Sequence, residues 1–186
     1  MKWLIWNVRC INKWYKKKEL RNYLKIKNIK LARFIETRVK EKIAKTISQH
    51  ITPGCEVINN YNAAVNGRIW ILWDPNCYDV KLIKAEAEAI HCIVSKVSND
   101  GIYAISVVYG FNTGEKRKHL WENLKEINQM VNIPWIVEGD FNAILQFQDR
   151  KHGNPVTNAE TQDFSDCIQE LKLNELNWEG GILYLV

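Results

Sequence analysis

The sequence predicts an α/β chain in which two β-sheets pack face to face with helices outside them. Two observations carry that prediction. Helical and strand periodicities alternate at the start of the chain, and a run of hairpins fills its middle. No Gly-rich phosphate loop occurs, and the mixture argues against a doubly wound parallel sheet.

The elements follow in order. Residues 2–7 read as a buried strand, and 15–27 as a helix with Leu20, Tyr23 and Leu24 on one stripe and lysines elsewhere. Residues 31–36 form a second strand ending at Glu36, and a basic helix covers 40–49. Strands are predicted at 56–59, 67–73, 78–84, 89–97 and 102–109. Asn66-Gly67, Asp74-Pro75-Asn76 and Asn99-Asp100-Gly101 supply turn chemistry between them, so the two long strands around residue 100 pair antiparallel. A helix spans 115–131, because Leu120, Leu124, Ile127 and Val131 recur at one face, and Pro134 separates it from an apolar strand, Ile133 to Val137. Residues 147–159 read as a loop, 160–171 as a last helix with Phe164, Cys167, Ile168 and Leu171 inward, and Ile182 to Val186 as the beginning of a strand.

At 186 residues the chain is long enough for one domain with a substantial core. No run of 18 apolar residues is present, so no membrane span is expected, and the apolar stretch after Met1 is too short for a signal peptide. The five Cys (10, 55, 77, 92 and 167) are scattered, odd in number and without a Cys-x-x-Cys pair. That spacing argues for reduced thiols in an intracellular setting, nuclear or cytoplasmic, and against a zinc site. Charge is uneven. Residues 1–50 hold 15 Lys/Arg against 3 Asp/Glu, a net of +12, whereas 51–186 hold 11 against 18, a net of −7. A basic first quarter, with Lys16, Lys17, Lys18, Arg21 and Lys25 together, suits a polyanion such as nucleic acid; a solvated lysine face is the plainer alternative.

Polar groups close four predicted strands: Asn7, Glu36, Tyr109, and the pair Asp140 and Asn142 in Gly139-Asp140-Phe141-Asn142. An Asp and an Asn two apart at a strand end point the same way, since side chains alternate with period two. A carboxylate that orients or deprotonates a nucleophile, beside an amide that donates to phosphate, suits metal-assisted phosphodiester chemistry. If the ends converge, Glu36 is a natural ligand for a hard cation such as Mg²⁺, which needs only one or two carboxylates and keeps several waters. Each residue also has a structural alternative: Asn7 as a turn cap, Glu36 as a helix N-terminal carboxylate, Tyr109 as a core aromatic with its hydroxyl at the rim. His91, between Ile90 and Cys92, reads as a buried histidine with a backbone partner, not as a catalyst.

With these words in place the chain resembles the endonuclease/exonuclease/phosphatase superfamily, and more narrowly the endonuclease domain at the N-terminus of plant non-LTR (LINE-type) retrotransposon polyproteins. The matching words include Trp6-Asn7-Val8-Arg9, Glu36-Thr37-Arg38-Val39-Lys40, Gly67-Arg68-Ile69-Trp70, Leu72-Trp73-Asp74-Pro75, Val108-Tyr109-Gly110-Phe111-Asn112 and Gly139-Asp140-Phe141-Asn142-Ala143-Ile144-Leu145. Asp149-Arg150 with Gly153, and Asp163-Phe164, continue the match, which runs in order from residue 2 to about 184. The resemblance implies a four-layer α/β sandwich with the site at one end of the two sheets. It implies Mg²⁺-dependent (or Mn²⁺-dependent) hydrolysis of DNA phosphodiester bonds by an activated water, nicking a target to prime the reverse transcriptase region of a longer polyprotein. Mapped onto this chain, Glu36 holds the metal with Asn7 beside it. Tyr109 contacts phosphate, Asp140 orients or activates water, and Asn142 stabilises phosphate charge. Arg9, Lys16, Lys17, Lys18 and Arg38 are the expected contacts to nucleic acid.

Departures from the pattern set further expectations. The family closes with a Ser-Asp-His motif whose His contacts the scissile phosphate, and no Asp-His dipeptide occurs here. The expectation is therefore a C-terminally truncated copy whose second sheet lacks its last strands and leaves an unpaired edge. Such a copy would have little or no activity, either as an impaired nuclease or as a non-catalytic nucleic-acid-binding remnant; a phosphatase of the same superfamily is a third reading. Cys10 stands where the family has Gly, which costs on the order of 1 kcal/mol if the position needs positive φ. Arg33 places a charge in a strand that the family keeps apolar or small.

Overall fold

The computed structural model describes residues 2–65, 67–98, 101–145 and 158–176. Along the chain run β1 (Leu4–Asn7), α1 (Trp14–Ile26), β2 (Leu31–Ile35), α2 (Glu41–Ile51), β3 (Glu56–Asn59), β4 (Ile69–Trp73), β5 (Tyr78–Ala85), β6 (Ala89–Lys96), β7 (Ile102–Tyr109), α3 (Gly114–Met130), β8 (Trp135–Asp140) and α4 (Asn158–Glu170). Two four-stranded sheets form, in the orders β1-β2-β4-β3 and β5-β6-β7-β8. The expected turns at Asn66 and at Asn99-Asp100, the loop up to residue 157, with Asp149, Arg150 and Gly153, and the strand expected from Ile182 lie outside the described residues.

The chain divides into two compact units. Among the described residues, the first is built on Met1–Tyr109 with Ile133–Gly139, and the second on Gly110–Asn132 with the described part of Asp140–Ile182. In the first unit, β1 and β2 are parallel, while β4 runs antiparallel to both β2 and β3. The antiparallel pairs β5–β6 and β6–β7 build the second sheet. Alternation along β2 and β4 splits their side chains between two cores. Ala32, Phe34, Trp70 and Leu72 face Leu20, Leu24, Ala44, Ile47 and Ile51 of α1 and α2. Leu31, Ile35, Ile69, Ile71 and Trp73 face Tyr78, Val80, Ile90, Cys92, Val94, Ile105 and Val107 of the second sheet. Both strands are buried on both faces, which is why they read as unbroken apolar runs.

Arg33 sits on the face between the sheets and is only 2 % exposed. Its Nη2 donates to Glu138 Oε2 of β8 at 2.7 Å, its Nε donates to the other carboxylate oxygen, and the Trp3 ring lies 5.4 Å from the guanidinium carbon. The bidentate partner is what permits a charge at a position expected to be apolar. His91 is fully buried, with Nδ1 2.7 Å from Ser106 Oγ, and that hydroxyl oxygen accepts from Trp135 Nε1 at 2.8 Å.

β8 begins two residues later than the apolar run suggests and continues through Asp140. Pro134 has no N–H for the ladder, and its carbonyl accepts instead from Ala104 N at 2.9 Å. Gly139 then lies against β7 at φ +138, and a Cβ there would stand 2.0 Å from the Val108 carbonyl oxygen. In the second unit, Trp121 of α3 and Phe164 of α4 stack at 5.2 Å, with Phe141 4.8 Å from Phe164. Leu120, Leu124 and Ile127 are buried as the α3 stripe predicts, whereas Val131 caps the helix and is only partly buried, and Lys125 Nζ pairs with Glu170 Oε2 at 2.5 Å.

Candidate active site

Because β1 and β2 are parallel neighbours, with Asn7 opposite Ile35, their C-terminal ends share one edge of the first sheet. The loops that leave them run together. Cys10 N donates to Glu36 O at 2.8 Å, Ile11 N to Thr37 O at 3.1 Å, and Asn12 Nδ2 to Arg38 O at 2.9 Å. Thr37 is fully buried and ties this edge to the start of β4, its Oγ1 donating to Gly67 O at 2.5 Å and its N to Arg68 O at 3.3 Å. Asn60, also fully buried, accepts at Oδ1 from the N–H groups of Arg68 and Ile69 (3.0 and 3.1 Å). Its Nδ2 donates to the carbonyls of Glu86 and Ala87 (3.1 and 3.2 Å). Thus one amide fixes the start of β4 to the β5–β6 turn.

The backbone of these loops is strained. Arg9 (φ 42), Cys10 (73), Glu36 (58) and Arg38 (52) occupy the left-handed region. The other described non-glycine residues there are Asn28, Asn142 and Lys172. Asn28 and Lys172 close helices, each followed by a bond back into the last turn (Ile29 N to Leu24 O, 2.9 Å; Leu173 N to Ile168 O, 3.1 Å). The rest follow the strand ends β1, β2 and β8. Strain of this kind persists only where the surroundings over-determine it, and it clusters at functional sites.

Four polar side chains meet at this edge. The Glu36 carboxylate is 13 % exposed and takes a hydrogen bond from Arg38 Nη2 at 2.5 Å. Tyr109, at the end of β7, is half-buried. Burial pushes its phenol above the usual 10.0, and the Glu36 charge adds to that, while a hydrogen bond from Arg38 and the positive charge of Arg68 oppose it. The Arg68 guanidinium carbon lies 5.5 Å from the Tyr109 ring centre. Asn7 Oδ1 accepts from Arg9 N at 3.2 Å, so Asn7 does close the turn after β1. Arg9 and Arg38 are exposed, Lys18 is exposed and Lys17 is partly so. Lys16 departs from its expected role as a contact to nucleic acid. It is 6 % exposed, and its ammonium holds the carbonyls of Val8 and Arg9 at 3.4 and 3.1 Å, bracing the strained turn.

Asp140 and Asn142 form a second constellation, in the second unit. Asn142 N donates to Asp140 Oδ1 at 3.1 Å, and Asn142 Nδ2 donates to Gly110 O at 2.6 Å. Gly110 N in turn donates to Asp140 O at 2.8 Å. The two side chains are therefore joined through a turn, not by simple strand alternation, because Asn142 has left the strand at φ 48. Gly110 permits the approach, since a Cβ on it would lie 2.3 Å from the Phe141 carbonyl oxygen.

No cluster of three or more His, Cys, Asp or Glu side chains is present among the described residues. The donor set at Glu36 nevertheless fits a hard divalent cation. One shielded carboxylate with an amide one residue behind in register satisfies an ion that keeps most of its waters. Arg38 holds the position of positive charge on Glu36. Sequence reasoning gave no role to Arg68, Thr37 or Asn60. Arg68 stands in the Gly67-Arg68-Ile69-Trp70 word, whereas a lone Asn in a loop carries no signal of its burial.

Comparison with solved structures agrees with this architecture. The endonuclease domain of TRAS1, a telomere-specific non-LTR retrotransposon, superposes with a TM-score of 0.70 at 16% identity, covering 95% of this chain and 75% of that one. The AP endonuclease LMAP of Leishmania major gives 0.66 at 13% identity, covering 90% and 65%. A mannosyl-6-phosphatase of Bacteroides thetaiotaomicron gives 0.53 at 14% identity, covering 75% and 65%. No family model and no curated protein sequence matches the chain. The chain has the endonuclease/exonuclease/phosphatase-like fold. Its structural neighbours include nucleases and a phosphatase, and no described helix is long and apolar enough to cross a membrane.

Proposed function

We propose that the chain is a divalent-metal-dependent nuclease domain that hydrolyses DNA phosphodiester bonds, of the kind that nicks a target for a non-LTR retroelement. The observation that carries this reading is the meeting of Glu36, Tyr109, Arg38 and Arg68 on a strained strand-end edge. Glu36 and Asn7 would hold a Mg²⁺ or Mn²⁺ ion there, which would supply Lewis-acid polarisation of a phosphate oxygen and steady the leaving oxygen. Glu36 is its carboxylate ligand, and Asn7 lies beside it. Arg38, exposed beside Glu36, is a contact for the phosphate. Tyr109 donates its hydroxyl to a non-bridging oxygen. Asp140 orients the attacking water and accepts its proton, and Asn142 donates to phosphate charge. Arg9, Lys17 and Lys18 hold the DNA backbone, and the nick serves a reverse transcriptase region of a longer polyprotein.

The 186 residues contain no Asp-His dipeptide, and among the described residues His91 lies in the core and His50 and His119 lie on helices, so the rate expected of these residues alone is low. Loss of such a group costs about 10² to 10⁴ in rate. Supercoiled plasmid incubated with excess protein separates the readings. Slow accumulation of nicked circles that stops in EDTA supports the proposal. Rapid turnover contradicts the impairment. Phosphate release from monoesters with intact plasmid identifies a phosphatase, and salt-sensitive binding without cutting identifies a binding remnant.

A further inference from the structure

The outer helices form a cleft of which the proposed function uses only Lys17 and Lys18. It lies between α1 and α2, has a volume of about 620 Å³, and is lined by Trp14, Lys17, Lys18 and Arg21 from α1 and by Thr46 and His50 from α2. None of its lining residues is acidic. α1 has spent its other face on the core, through Leu20 and Leu24, and on Lys16. Trp14 is 71 % exposed, and Lys18 Nζ lies 5.9 Å from its ring centre. A Trp this exposed adds little to the core, yet it offers a flat stacking surface at the rim of a cationic trough.

We propose that this cleft binds single-stranded nucleic acid, with an unpaired base stacked on Trp14 and flanking phosphates held by Lys17, Lys18 and Arg21. Aromatic stacking beside a positive groove is the chemistry of single-strand binding, because every base presents a π-face once it is unpaired. A duplex buries those faces and meets only the charge. The inference goes beyond hydrolysis at Glu36 and does not depend on it, because binding here needs no metal. DNA and RNA strands share the recognised chemistry.

The test is fluorescence anisotropy in EDTA, with labelled oligo(dT), oligo(rU) and a duplex, each of about ten nucleotides or base pairs. Trp14→Ala is expected to weaken binding of the single strands about tenfold, with Trp14→Phe close to wild type and the duplex unchanged. Arg21→Gln is expected to weaken single-strand binding and to reduce its salt slope by about one phosphate contact. Equal affinity for oligo(dT) and oligo(rU) means that stacking and charge suffice, and tighter oligo(rU) means that the 2′-hydroxyl is also read. The proposal is overturned if Trp14→Ala binds single strands like wild type, if it loses single strands and duplex equally, or if polyglutamate displaces oligo(dT) as well as unlabelled oligo(dT) does.

Discussion

Cys10 shows how a single residue can record the demands of the site. It sits at φ 73 in the turn after β1, where its N–H reaches Glu36 O at 2.8 Å. A side chain is unfavourable in that conformation by about 1 kcal/mol, partly offset by the entropy glycine loses on folding. Cys10→Gly should therefore raise the urea midpoint slightly, by up to about 1 kcal/mol of stability with an unchanged slope. Tyr109 illustrates the opposite balance, chemistry over stability. Tyr109→Phe keeps the ring under Arg68 and removes only the hydroxyl, so nicking should fall about 10²-fold while plasmid binding and melting temperature stay near wild type. The cost of Cys10 was legible in the sequence as a departure from glycine. The left-handed conformations of Glu36 and Arg38 were not, because they arise from the way the β1 and β2 loops bond to each other.

Elements were legible where local periodicity decides them. β2, β4 and the α3 stripe follow from apolar spacing, and the described strands and helices fall close to their expected spans. β8 was displaced because Pro134 and Gly139 act through a neighbouring strand, which no window on residues 133–140 contains. The Arg33–Glu138 pair likewise joins residues 105 positions apart, so the charge in β2 read as an anomaly when it is half of an inter-sheet clamp. Breaking one side of a buried pair leaves an uncompensated charge. Glu138→Ala should cost about 3–5 kcal/mol by chemical denaturation, whereas replacing both partners together with apolar residues of matching volume should cost far less. Lys16 teaches the same lesson within one helix. Among three consecutive lysines the helical phase selects one to point at Val8 and Arg9, and composition alone does not show which.

At the scale of the whole molecule, the core holds protons that an unfolded chain would release. Burial pushes the Cys92 thiol from its usual 9.0 up to about 12, the Cys167 thiol up to about 11, and the Tyr61 phenol from 10.0 up to about 12. Raised folded-state values mean that this contribution is fully present below pH 9 and is lost as pH rises through about 9 to 12. Unfolding midpoints under reducing conditions should therefore be flat from pH 7 to about 8.5 and fall above about pH 9.5, and a midpoint that rises there would contradict the burial of these groups. The fold class, the basic first quarter and the places of Glu36 and Tyr109 at strand ends were readable from the sequence, whereas the burial of Lys16 was not. The cleft between α1 and α2 was not, because it joins residues of two helices whose separation only the folded chain sets. The central claim is that Glu36 is the carboxylate of a metal-dependent phosphodiesterase site. The most direct test compares nicking of supercoiled plasmid by wild type and Glu36→Gln at saturating Mg²⁺. A slow wild-type rate that disappears in Glu36→Gln, with equal DNA binding by both, is the predicted result; equal rates for the two proteins would contradict it.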